Sequence, residues 1–293
     1  MLNLHNRITT RDWFFNQYYR IRFWVLRLAS FTKDISPLHK PGMTLTFNDD
    51  FTEVSWAGNN RKWNVGEHWG TFHKDKPNVY YGAPSIGWRT LGIFTVKHQP
   101  RKVKKDGITY NIPFEVSLLS TNKTFRQQYG RWECRMTLPV EKGTFPAFWI
   151  WGPTWAPEID IIEGYGGRTG RGITRQNVSL FWGTPNPTTM RKWAVKIDRY
   201  AGIQNRFHEF AMEWTPNRIT FITDGIKIFE FTNKKILDEY YNKPGTEPWI
   251  ILNHSVEPDG NTGKSKHLQP YELSTYSSKF RVDYVRCYQF ENL

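Results

Sequence analysis

From Thr44 onward the chain alternates short apolar runs with turn signals. Runs rich in Val, Ile, Thr and aromatic residues, bounded by Gly, Pro, Asn and Asp, have the pattern of β-strands. The clearest case is Arg218–Thr223, closed by Asp224-Gly225 and followed by Ile226–Phe231. Two such runs joined at an Asp-Gly step predict a hairpin, because both turn residues tolerate positive φ. Similar runs cover 130–138, 147–151, 178–182, 207–214, 249–253 and 280–289. Many short strands with no long helix between them predict an all-β sandwich or jelly roll. One short helix is expected over 236–242, and no repeat, low-complexity tract or linker follows position 42.

The first 40 residues keep a different period. Phe14, Tyr18, Ile21, Val25 and Leu28 recur three or four apart, an apolar helical stripe that leaves Arg20 and Arg27 off it. The segment is basic: Arg7, Arg11, Arg20, Arg22, Arg27, Lys33 and Lys40 against Asp12 and Asp34. A basic amphipathic helix can lie on a membrane or particle surface, or pack on its own domain or a partner. Trp13, Phe14, Phe15 and Trp24 need burial and favour packing. Pro37 and Pro41-Gly42 end the segment, which divides the chain into an extension, 1–42, and one β-domain, 43–293. Arg20, Arg22 and Arg27 interrupt the apolar run and no small-residue cleavage site follows, so no secretory signal is recognisable. No stretch approaches the roughly 18 apolar residues of a membrane span.

Composition narrows the partners. With 293 residues the chain can form one large β-domain, and Trp 14, Tyr 14 and Phe 20 supply its core. Flat rings also suit a cleft that stacks on sugars. The net charge of +13 favours nucleic acid, an anionic surface or an anionic polysaccharide. No zinc finger, RRM signature or P-loop accompanies it, and the charge is spread along the chain, which argues against nucleic acid. Cys134 and Cys287 sit in strand-like runs and read as buried free thiols, neither a disulfide framework nor a metal cluster.

The segment Glu158-Ile-Asp-Ile-Ile-Glu163 is the candidate chemistry. Strands disfavour Asp and Glu, and like charges on one face repel. Alternation puts Glu158 and Asp160 on one face, while Glu163, five positions from Glu158, points the other way in a regular strand. One bulged residue, Ile161 or Ile162, returns Glu163 to the shared face and leaves the isoleucines to pack inward. Two carboxyls about 5–5.5 Å apart across a scissile bond are what a retaining glycosidase needs, one as nucleophile and one as acid and then base. A third between them can hold the nucleophile and keep the acid protonated. A solvated strand face or a calcium cluster are the alternatives. Calcium sites sit on loops rich in Gly and Asn, whereas Trp149, Trp151, Trp155 and Tyr165 flank this segment.

These residues resemble glycoside hydrolase family 16, whose signature is Glu-x-Asp-x-Glu or the bulged Glu-x-Asp-x-x-Glu seen here. The resemblance extends over roughly 44–290. It includes Leu45-Thr-Phe-Asn-Asp-Asp-Phe51, Tyr129-Gly-Arg-Trp-Glu-Cys-Arg135, Phe145-Pro-Ala-Phe-Trp149, Trp249-Ile-Ile-Leu-Asn253 and Val282-Asp-Tyr-Val-Arg286. Most specific is Phe207-His-Glu-Phe-Ala-Met-Glu-Trp-Thr-Pro216 with Asp224-Gly225 after it. The resemblance implies a jelly roll with a concave cleft, and Glu158 as nucleophile, Asp160 as its assistant and Glu163 as acid/base. It also implies endo-hydrolysis of β-1,3 or β-1,4 bonds, no cofactor for catalysis, and a structural calcium on the convex side with Asp283 as candidate ligand. Many members carry a His shortly after the catalytic strand; here the run is Leu180-Phe181-Trp182-Gly183, and Phe181 cannot hydrogen-bond a sugar.

The expected substrate is a laminarin-type β-glucan, cut by a monomeric domain acting outside the cell. Arg168, Arg171 and Arg175, which can clamp sulfate, raise the alternative of an anionic galactan such as agar, carrageenan or porphyran. They equally read as a solvated basic loop. Trp69, Trp149, Trp155 and Trp182 are the candidates for ring stacking, with core packing the alternative for each. A carbohydrate-binding module that does not cleave, and a transglycosylase, are the competing classes.

Overall fold

Alternating apolar and polar positions become sixteen strands among the described residues. In chain order they are β1 (Met43–Asp49), β2 (Asn64–Val65), β3 (Val79–Gly82), β4 (Ser85–Gly87), β5 (Leu91–Lys105), β6 (Ile108–Ser120), β7 (Gly130–Thr137) and β8 (Thr144–Gly152). There follow β9 (Trp155–Gly164), β10 (Arg175–Trp182), β11 (Arg191–Asp198), β12 (Phe207–Thr215), β13 (Arg218–Thr223), β14 (Ile226–Phe231), β15 (Trp249–Val256) and β16 (Ser277–Phe290). The computed structural model describes residues 38–73, 79–87, 91–139, 141, 143–164, 175–184, 189–198, 206–256 and 276–293. All of them fall in the second of the chain's two units, Ile35–Leu293. The helical stripe expected near the N-terminus, Tyr165, Arg168 and Arg171 lie outside the described residues.

Two sheets share the long strand β6. One runs β11-β10-β9-β8-β15-β6 and the other β6-β5-β16-β7-β12-β13-β14, antiparallel at each step. The C-terminal end of β6, Leu118 to Ser120, pairs with β15, while its earlier part pairs with β5. β1 lies beside β16, β2 and β3 beside β6, and β4 beside β5.

Between the sheets sits the main core. Phe148, Ile150, Ile159, Leu180, Ile250 and Leu252 point into it from the first sheet. Trp132, Cys134, Met136, Phe210, Met212 and Val282 meet them from the second. Each such large side chain removed from water contributes about 1.5–3 kcal/mol. Alternation sends the neighbours Trp249 and Ile251 to the opposite face of the first sheet, where they join a second apolar cluster with Tyr81, Val116 and Leu118. Trp69, Trp149 and Trp151 pack on that second cluster, which forms the floor beside the site described below.

The expected hairpin forms as read, β13 to β14 across Asp224 (φ 49°) and Gly225 (φ 73°). The turn is held from outside: His208 Nδ1 lies 2.7 Å from Asp224 Oδ2, and the Glu209 N–H donates to Asp224 Oδ1 at 2.9 Å. The helix expected over 236–242 is a single turn, Lys234–Ile236, capped by Asn233, that widens over Leu237–Tyr241. Cys134 and Cys287 are buried free thiols. Among the described residues no helix is long and apolar enough to cross a membrane.

Candidate active site

The bulge expected in β9 is Ile161. Against β8, Ile162 pairs with Phe148 and Asp160 with Trp149, so Ile161 is the extra residue. The same irregularity appears against β10, where Asn177 faces Glu163 and Ser179 faces Asp160. The backbone kink lets Ile159, Ile161 and Ile162 all bury completely in the core. Glu158, Asp160 and Glu163 then line one cavity of about 410 Å³ on the other side of the sheet.

Each carboxylate has a distinct setting. Glu158 is half-buried and its Oε2 accepts the indole N–H of Trp155 at 2.6 Å. Asp160 is buried, and its Oδ2 has no hydrogen-bond partner among the described residues. Burial pushes its carboxyl well above the ordinary range, the charges of Glu163 and Glu158 push it further, and a hydrogen bond with Glu163 adds to this; Lys192 pulls the other way. Asp160 is therefore much slower to ionise than an ordinary carboxyl. Glu163 Oε2 receives a long hydrogen bond from Ser179 Oγ at 3.4 Å, and Lys192 Nζ lies 3.9 Å from it. The Asn177 amide donates to the Glu163 backbone carbonyl at 3.0 Å and fixes the strand just past the bulge. The Tyr241 hydroxyl donates to the Phe181 carbonyl at 2.6 Å, tying the helical turn to β10.

Beside the acids, on the same face of the sheet, stand aromatic rings: Trp149 is the strand partner of Asp160 and Trp151 that of Glu158. Trp149 and Trp69 line the cavity, as expected, and Trp151 joins them. Trp149 donates its N–H to Asn253 Oδ1 at 2.8 Å, and Trp69 donates to the Tyr81 hydroxyl at 3.3 Å. Edge-to-face contacts of 5.8 Å and 6.0 Å join Trp151 to Trp149 and Trp69. Trp149 and Trp151 sit two apart on β8, so strand parity would have paired them from sequence. His73, Tyr81, Asn253 and Ser255 also line the cavity. They come from β3, β15 and a loop far away in sequence, and no local pattern marks them.

Two of the four expected stacking residues are placed elsewhere. Phe181 is the strand partner of Glu158, so the next residue, Trp182, turns to the opposite face. There it packs on the core and on Phe231 at 6.2 Å. Trp155 is buried at 7% exposure and spends its indole on Glu158 rather than on an open sugar platform. Of Arg175 only the backbone is described, as the first residue of β10.

Asp283, the expected calcium ligand, is buried with Arg135, whose Nη1 donates to its Oδ2 at 2.6 Å. The Arg135 guanidinium thus takes up one oxygen of the carboxylate proposed to hold calcium. Among the described residues no group of three or more His, Cys, Asp or Glu is arranged to hold a metal ion. The nearby glutamates are likewise met by an arginine: Arg131 bonds Glu133, Glu209 and Glu213 at 2.7–2.9 Å.

Comparison with known proteins places this site in context. Residues 93–268 match the model of glycosyl hydrolases family 16. A β-glucanase of Rhodothermus marinus is 26% identical over 273 residues, spanning 85% of this chain and 86% of that protein. The endo-1,3-1,4-β-glycanase EglC of Rhizobium meliloti (strain 1021) is 24% identical over 87% of this chain, which spans only about half (53%) of that relative's length. Among solved structures, the catalytic domain of an endo-1,3-β-glucanase (laminarinase) from Thermotoga petrophila RKU-1 superposes with a TM-score of 0.61 at 21% identity, covering 85% of this chain and 99% of that one. SCLam, a non-specific endo-β-1,3(4)-glucanase, gives 0.66 at 21% identity, covering 86% and 92%. The last two likenesses bear on the fold, a jelly roll.

Proposed function

The chain belongs to glycosyl hydrolases family 16 and is an O-glycosyl hydrolase, and from that premise we propose that it is a retaining endo-β-glucanase acting on a laminarin-type β-1,3 or mixed-linkage glucan. One observation carries the mechanism: the Ile161 bulge brings Glu158, Asp160 and Glu163 to the wall of a single cavity.

The roles follow from the settings. Glu158, whose Oε2 accepts the Trp155 indole N–H, attacks the anomeric carbon. Glu163 gives its proton to the departing glycosidic oxygen, and a glycosyl ester forms on Glu158. The Glu163 carboxylate then takes a proton from water, whose oxygen attacks the same carbon and frees Glu158. Asp160, buried and with its carboxyl pushed up, supplies hydrogen bonding and resists adding a third charge. Trp69, Trp149 and Trp151 offer ring faces and edges to the sugars along the same cavity. The glucan assignment leans on relatives bearing β-glucanase and β-glycanase names.

Release of reducing ends from laminarin, mixed-linkage glucan, agarose and carrageenan tests this reading. The wild type should cleave a glucan, and Glu158→Gln and Glu163→Gln should each lose about 100- to 10,000-fold. Cleavage of a galactan alone would replace the substrate. Binding without cleavage of any polymer would replace the enzyme with a binding module.

A further inference from the structure

Lys192 stands at the start of β11, the edge strand of the cleft sheet, as the strand partner of Phe181. Its ammonium lies 4.3 Å from the centre of the Phe181 ring and 3.9 Å from Glu163 Oε2. The lysine side chain is 39% exposed and that of Glu163 only 12%, so the charge reaches a mostly buried carboxylate from the solvent side. A ring under the ammonium restricts where that charge can sit. The Phe181 ring, which cannot hydrogen-bond a sugar, instead seats a cation.

The chemistry gives this cation a task. Glu163 must hold a proton when the glycosidic bond breaks and must lack one when water attacks. A positive charge beside Glu163 favours its carboxylate, the form that must take a proton from water once Glu158 has been esterified. We infer that Lys192 is a positioning residue that acts through Glu163, setting how readily the Asp160–Glu163 pair releases its proton between the two half-reactions. The inference rests on the reading of Glu163 as acid/base.

The described titratable side chains that line the cavity with Glu163 are Glu158, Asp160, His73 and Tyr81. Glu158 and Asp160 face Glu163 from its own strand, and β10 presents Asn177 and Ser179, neither of which titrates. β8 contributes Ala147 and Trp149, and β15 contributes Asn253. Tyr241, on the helical turn near Glu158 and Asp160, is pushed up by burial and then by their charges, and so stays neutral. Lys192 is already felt at Asp160, where it opposes the burial that raises that carboxyl.

Titration of the substrate-free protein tests the inference independently of which polymer is cut. Carboxyl ¹³C resonances of the Asp160–Glu163 pair would be followed against pH in wild type, Lys192→Met, Lys192→Gln and Lys192→Arg. Both uncharged variants should release the shared proton about half to one pH unit higher than wild type, as expected for a unit charge at this distance beside water. Lys192→Arg should stay within about 0.2 of wild type, since it keeps the charge. The alkaline limb of the kcat/KM profile should move up by the same amount in the uncharged variants. Rates that fall while both titration and profile stay in place would overturn the inference and make Lys192 a substrate contact or a packing residue. If wild type cleaves no glucan, the substrate proposal fails and the titration alone decides the role of Lys192.

Discussion

Trp155 holds a φ of 72°, a region that a bulky side chain rarely adopts. The turn leading to it is tight, since a Cβ on Gly152 would lie 2.5 Å from the Pro157 ring. Burial of the indole and its 2.6 Å hydrogen bond to Glu158 offset that strain. Trp155→Phe keeps most of the ring and loses the donor. A hydrogen bond to a charged group contributes about 1.5–3 kcal/mol, so kcat should fall about 10- to 100-fold while KM changes little, as steady-state kinetics on the preferred glucan would show. Unchanged kcat would make the contact incidental. At this scale the sequence was informative about the acids and less so about the tryptophans. Alternation and one bulge are local rules, and they place Glu158, Asp160 and Glu163 together. The same rule applied from Phe181, opposite Glu158, sends Trp182 to the core. The turn of Trp155 toward Glu158 depends on a left-handed backbone that no pattern of apolar residues announces. Asp283 was legible as an acid in a strand, but its partner Arg135 lies on another strand and is close only once β7 and β16 pair.

Strand pairing explains why one glycine matters more than most. Gly130 opens β7 at φ 96°, and a Cβ there would stand 2.0 Å from the Tyr288 carbonyl oxygen of β16. Backbone cannot yield as a flexible side chain can, so Gly130→Ala should destabilise the fold by at least about 3 kcal/mol. Urea unfolding monitored by tryptophan fluorescence would measure it, and a loss under about 1 kcal/mol would show that the strands separate easily. Elements with local chemistry were the readable ones. The Asp224-Gly225 hairpin carries its turn residues in sequence, and the strand over 130–138 is observed as Gly130–Thr137. In the segment expected as a helix, Leu237 and Tyr241 are buried four apart, but it completes only one regular turn before widening. Strand β11, which supplies Lys192, was not apparent because Arg191-Lys-Trp-Ala-Val-Lys groups its charged and apolar residues instead of alternating them. Pro100 hides the continuity of β5, and the pairing with β6 skips from His98 to Arg101 to accommodate it.

Across the whole molecule, the two-sheet architecture was legible because many short runs with turn signals permit few other arrangements. The cleft was not, since its lining converges from β3, β6, β8, β9 and β15. A buried histidine on β15 gives the folded domain a pH dependence. His254 is fully buried, with Nε2 2.9 Å from Ser278 Oγ, and burial lowers it from 6.5 to about 3. The unfolded chain binds this proton below about pH 6.5 and the folded chain does not, so its contribution to stability is lost as pH falls from 6.5 toward 3. Glu67, Glu133 and Asp160 are raised by burial and act in the opposite direction. Comparison of wild type with His254→Gln therefore isolates the term. Between pH 7 and 4 the variant should lose less stability than wild type, by up to about 1.4 kcal/mol per pH unit below 6.5; parallel curves would mean that His254 gains its proton without unfolding. The most direct test of the proposed chemistry is the anomeric configuration of the first product, followed by ¹H NMR during hydrolysis of the glucan cleaved fastest. Attack by Glu158 and then by water on the same carbon requires the β-anomer to appear first and the α-anomer only later by mutarotation. First appearance of the α-anomer would contradict a nucleophilic Glu158 and the double displacement built on it.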